Sequence, residues 1–157
     1  ITRDPLAGSK ASSVLIHFGI GDQILNETAA EFMQRSLQTR RHNPSIVEGR
    51  HIAVEPDVGK DPITTYPHEG HAVMHWDSGP FPIAGHDGTP LQRPENLPRL
   101  LGYDTHSMPI GQPGAWEQKA TFWRTGQVIN VCGTEPCYAD GYDGTPGEYD
   151  PANAPSE

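Results

Sequence analysis

The sequence predicts a loop-rich α/β domain in which short strands of a parallel sheet alternate with amphipathic helices. Three observations carry that expectation. Val14-Leu15-Ile16-His17-Phe18 is a short, nearly continuous apolar run, the pattern of a strand covered on both faces of a parallel sheet. A helical repeat of apolar residues follows soon after it, giving half of a βαβ unit. The 17 Gly and 16 Pro among 157 residues leave room only for short elements between many breakers. The length suits one domain.

Each element has its own local reason. Gly19-Ile20-Gly21-Asp22 breaks the apolar run in a tight turn. Asn26 is a helix N-cap residue, and Glu27 favours the positive end of the helix it starts. Ala29, Phe32, Met33 and Leu37 recur at helical spacing and predict the buried face, with Gln34, Arg35 and Gln38 opposite. Arg40-Arg41-His42 suits the negative C-terminal end, and Asn43-Pro44 stops the helix. Residues 50–103 read as a Pro-rich insertion of long, extended connections, a lid or rim by its length. Ile52-Ala53-Val54 and, better, Ala72-Val73-Met74-His75-Trp76 are its strand candidates. Trp116, Lys119, Ala120 and Trp123 predict a helix over 114–124, with both tryptophans packed on the sheet. Thr125-Gly126 closes it, and Val128-Ile129-Asn130-Val131 reads as a strand. The domain is expected over 1–137, followed by an acidic Gly/Pro-rich tail over 138–157.

Charge and cysteine use narrow the function. With 20 acidic and 11 basic residues, the chain has a net charge of −9, so no basic patch is available to neutralise nucleic-acid phosphates. No apolar run is long enough to span a bilayer. Cys132 and Cys137 flank Gly133-Thr134-Glu135-Pro136, a turn that lets the sulfurs meet in a small disulfide loop. Such a bridge implies an oxidising compartment, so the protein is expected to be secreted or periplasmic. A structural zinc is disfavoured, because neither a second Cys pair nor a nearby His follows in the sequence. The chain starts at Ile1, from which we expect an N-terminus made by processing or truncation.

Asp22, in a Gly-rich turn after a buried strand, is placed to project above the carboxyl end of a sheet, where open α/β folds put their ligands. Taken alone it reads equally as a turn residue capping the next helix. His106, in Asp104-Thr105-His106-Ser107-Met108-Pro109, lies on a loop just before the last amphipathic helix. An acid after one strand and a His after the next is the chain order of an α/β-hydrolase triad.

The stretch from Val14 to Gln23 resembles the strand-and-acid-turn segment of α/β-hydrolases. Residues 106–137, with Phe122-Trp123-Arg124-Thr125-Gly126 and the Cys pair, resemble the C-terminal end of bacterial exported members of that fold. Together these two blocks cover about half of the chain. The resemblance implies the C-terminal part of an α/β-hydrolase-type three-layer sandwich of the esterase or lipase kind. It also implies Asp22 as the orienting acid and His106 as the general base of a serine hydrolase. No Gly-x-Ser-x-Gly elbow occurs in the sequence. The expected protein is therefore incomplete as a single chain. Its nucleophile would come from a preceding segment or a partner chain, as in a processed heterodimer, with a small ester or lipid-like substrate and no cofactor. The 84 residues from Asp22 to His106 also leave His71 or His75 open as the base. Three further readings stand beside this one. The chain could be a non-catalytic exported interaction subunit. His68, His71 and His75 could hold a metal if they shared a helix face, although the segment reads equally well as a strand, on which His71 and His75 share a face that His68 does not. Asp140, Asp143, Glu148 and Asp150 offer oxygen ligands for calcium without the EF-hand spacing, so no metal is expected.

Overall fold

The computed structural model describes residues 5–20, 22, 24–25, 27–45, 61–78, 105–139 and 141–144. The expected strand at Ile52–Val54, the N-cap Asn26, most of the insertion and the tail beyond 144 lie outside the described residues. Among the described residues, six short strands and three helices follow one another in the order β1 (Leu15–Gly19), α1 (Glu27–Leu37), β2 (Arg40–Arg41), β3 (His68–Glu69), β4 (Ala72–Asp77), α2 (Met108–Gly111), α3 (Pro113–Thr125), β5 (Gln127–Val128) and β6 (Cys137–Tyr138).

The centre is β4, whose six residues are all buried. Strand β1 runs parallel to it, Leu15 opposite Ala72 through Gly19 opposite Trp76. Ala72 also pairs with Arg40, and Trp76 with Cys137, so β2 and β6 share the opposite edge of β4, again in parallel. Strands β3 and β5 form a small antiparallel ribbon of their own. Side chains alternate along β1 and β4 as a pleat requires. Ile16 and Phe18 pack with Ile20 and Ala30 of α1. On the other face, Leu15, Met74 and Trp76 pack with Ala115 of α3 and with Cys137 and Ala139. One helix therefore covers each face of the parallel sheet.

Both helices are turned relative to the expected faces. In α1 the buried residue is Ala30, while Gln34 reaches His75 on β4 and Phe32 and Met33 are exposed. In α3 the buried pair is Ala115 and Gln118, with Phe122 against Val128, whereas Trp116 and Trp123 are 57% and 78% exposed. The reason is the same in each: a glutamine faces the sheet because a histidine there needs a polar partner, and an unpaired polar group would be costly. The Arg40-Arg41 pair does not end α1. The helix stops at Leu37, where Gln38 takes a left-handed φ of 55° and the Thr39 N–H returns to Gln34 O at 3.1 Å. The two arginines then extend into β2. The strand expected over 128–131 shrinks to Gln127–Val128, because Asn130 Oδ1 accepts from the N–H groups of Cys132 and Gly133 and starts a turn. Just past 137, Tyr138 belongs to β6, and Ala139 is buried with its N–H on Asp77 O.

Candidate functional site

Asp22 is held at the carboxyl end of β1 by backbone groups. Its N–H donates to Gly19 O at 3.3 Å, and its Oδ1 accepts from the N–H groups of Ile24 and Leu25 at 2.8 and 2.7 Å. The short carboxylate thus satisfies the two amides that follow it, an arrangement a Gly-rich turn invites. Oδ2 is left for a different partner. It accepts from His106 Nδ1 at 2.8 Å, across 84 residues of chain. Asp22 is 6% exposed, while the His106 side chain is 31% exposed. The acid is enclosed, and the ring stands partly open.

The loop that carries His106 is clamped to the end of β1. Thr105 is buried, and its hydroxyl donates to Ile20 O at 2.8 Å. A methyl group at Gly19 would stand 2.6 Å from Thr105 O, so the two backbones approach closer than any side chain allows. Beyond the ring, the Met108 N–H donates to Thr105 O and the chain enters α2, with Pro109 in its first turn. Gly19 and Thr105 are positioning residues that the sequence reading did not single out. The Gly-x-Gly-Asp string signalled a turn but not the close approach of a second loop.

Because Nδ1–H donates to a carboxylate, the neutral ring of His106 carries its lone pair on Nε2. A proton taken there yields an imidazolium whose charge faces Asp22. A ring and a carboxylate so arranged have the geometry that a general base oriented by an acid requires.

The other histidines have different surroundings. His71 Nδ1 accepts from the Val14 N–H at 3.1 Å, helping to tie the two central strands together. His75 is buried in β4, with Ser45 Oγ on its Nδ1 and Gln34 Nε2 at 3.4 Å from its Nε2. Ser45 and Gln34 thus give the buried ring a polar neighbour at each nitrogen. His68 lies in β3, apart from β4, and burial lowers its pKa. Hence His68, His71 and His75 occupy a ribbon, a loop and a strand rather than one helix face. Among the described residues, the one group spaced to hold a metal is His42 with Cys132 and Cys137, and those cysteines form the expected disulfide. Of the acidic residues proposed for calcium, only Asp143 is described. No helix among the described residues is long and apolar enough to cross a membrane.

Comparisons with protein-family models, with curated proteins and with solved structures each give no match to the chain.

Proposed function

We propose that this chain supplies the acid and the general base of a serine hydrolase acting on carboxylic esters. In this reading the nucleophile lies on another segment or chain. The single observation that carries the reading is the 2.8 Å hydrogen bond from His106 Nδ1 to an Asp22 carboxylate whose other oxygen is fixed by two backbone amides. The partner's serine Oγ attacks the ester carbonyl while His106 Nε2 takes its proton, and Asp22 stabilises the resulting imidazolium. His106 then gives that proton to the departing alkoxide, and the acyl-enzyme is released by water through the same base. Backbone N–H groups of the partner segment stabilise the oxyanion. We place this fold among α/β-hydrolase-type sandwiches and the protein in an oxidising, exported setting, for which the Cys132–Cys137 bridge is the support.

Two features favour a segment added beside β1. Among the described residues β1 pairs with β4 alone, and its other edge is where a further strand would pair. On the two faces of the sheet, α1 exposes Phe32 and Met33, and α3 exposes Trp116 and Trp123. Exposed apolar side chains on the helices of both faces fit an added strand with its own flanking helices. The test is labelling of the purified native protein with a serine-reactive fluorophosphonate, followed by denaturing mass spectrometry without reduction. The expected result is one adduct per assembly, on a serine outside residues 1–157, lost in His106→Ala. No adduct on any polypeptide would replace catalysis by the role of a binding subunit docked through the same apolar faces.

A further inference from the structure

We propose that reduction of the Cys132–Cys137 bridge converts this corner of the molecule into a two-cysteine, one-histidine site for a thiophilic divalent cation such as zinc, with His42 as the third ligand. The sequence hides this site, because the histidine comes from the end of β2, far upstream of the cysteines. In space, a ring nitrogen of His42 and the two sulfurs all lie within 4.8 Å of one another. The edges of a zinc tetrahedron with sulfur and nitrogen ligands are about 3.5–3.8 Å, so small side-chain rotations suffice once the sulfurs part.

His42 is prepared for such a role. It is 1% exposed, and both of its ring nitrogens are held by hydrogen bonds. Its Nε2–H donates at 2.8 Å to Glu135 O, inside the loop between the cysteines, so this is the nitrogen that faces the loop. Its Nδ1 accepts from the Tyr66 hydroxyl, also at 2.8 Å. A ligating histidine commonly has its second nitrogen held by such an outer partner. Cys137, the first residue of β6, is buried and Cys132 is partly open, which leaves one side for a water as fourth ligand.

The chemistry balances with an external dithiol. It gives two electrons and two protons to the S–S bond and leaves as its own disulfide. The cation then displaces both thiol protons. The His42 proton moves from Nε2 to Nδ1, where it is donated to the Tyr66 oxygen, and Glu135 O is released to solvent. Two protons leave for each cation bound. Bridge and cation are thus alternative fastenings of the same corner, one for oxidising and one for reducing surroundings. This inference does not rest on the proposed esterase chemistry.

The experiment reduces the full native protein with a phosphine, which supplies the electrons without competing for metal, and titrates it anaerobically with Co²⁺ and Zn²⁺. The expected result is one tightly held Co²⁺ per chain with a thiolate charge-transfer band, two protons released per ion, and no such band before reduction. His42→Gln should weaken Zn²⁺ binding by about 100-fold or more, and Tyr66→Phe by about tenfold through the outer partner alone. If His42→Gln does not fold, the cadmium NMR shift of the reduced native protein replaces it, two sulfurs and one nitrogen being the expected ligand set. Binding no tighter than in the Cys132→Ser/Cys137→Ser variant, or a ligand set without nitrogen, overturns the proposal.

Discussion

His17 and His106 make hydrogen bonds of the same length, yet they are chemically opposite. His17, in the middle of β1, donates from Nε2 to the neutral amide oxygen of Gln118 at 2.8 Å. His106, on the loop clamped to the end of that strand, donates from Nδ1 to the Asp22 carboxylate at 2.8 Å. Burial holds the His17 pKa down at about 4, partly offset by the Gln118 bond and lowered again by Lys119 nearby. An amide partner satisfies a neutral ring, whereas a carboxylate also stabilises a charged one. The proposed function rests on the second pairing alone. The difference between the two sites lies in the partner, not in the histidine.

The largest expected effect comes from making the His106 site resemble the His17 site. In Asp22→Asn the Oδ1 bonds to Ile24 and Leu25 can persist, but the amide N–H₂ now faces His106 and forces its proton onto Nε2. Turnover of an ester by the native assembly should fall by about 10⁴-fold with the circular dichroism spectrum unchanged. Gly19→Ala attacks the geometry instead. Its methyl group meets Thr105 O at 2.6 Å, so the loop must shift by a fraction of an ångström or more. A loss of about 10²-fold in kcat, with a smaller change in KM, is the expected result. The conservative change Thr105→Ser, which keeps the hydroxyl on Ile20 O, should leave kcat within a few fold.

The His17 site is read through stability rather than rate. Its folded pKa of about 4 lies below the unfolded value of 6.5, so the unfolded chain binds the proton first as the pH falls. The stability this neutral ring contributes is fully present above pH 6.5 and is lost as the pH drops toward 4. The loss is on the order of 2–3 kcal/mol. Chemical denaturation between pH 7 and 4 should show this slope, and His17→Gln should flatten it. His42 and His68 are shifted in the same direction and steepen the decline. The smallest effect tests a region remote from both rings. Gln38 holds a left-handed φ of 55° at the end of α1, and Gln38→Gly should raise stability by about 0.5–1 kcal/mol without touching turnover.

How much of this was legible follows from what each residue depends on. The strands at Leu15–Gly19 and Ala72–Asp77 and the helix over Pro113–Thr125 were readable because apolar runs, proline and glycine act locally. The small disulfide loop was readable for the same reason. The helix faces were not, since Gln34 and Gln118 turn inward only because His75 and His17 wait there, each from a distant strand. Nor was β2, whose arginines pair with a strand that local charge rules cannot see. In the candidate site, Asp22 and His106 stood out by their loops and by a resemblance. Their clamp, Gly19 against Thr105, depends on a contact between separate segments.

The pairing of β4 also has a kinetic consequence. All three of its neighbours run parallel to it, so none can be reached through a hairpin turn. Ala72 must find Leu15 and Arg40 behind it, and Trp76 must wait for Cys137 ahead. During synthesis β1 and α1 therefore leave the ribosome before β4, the strand that β1 joins. The carboxylate of Asp22 meets its imidazole only after the 84 residues that separate them have emerged. Assembly dominated by such distant pairings runs in milliseconds to seconds rather than microseconds.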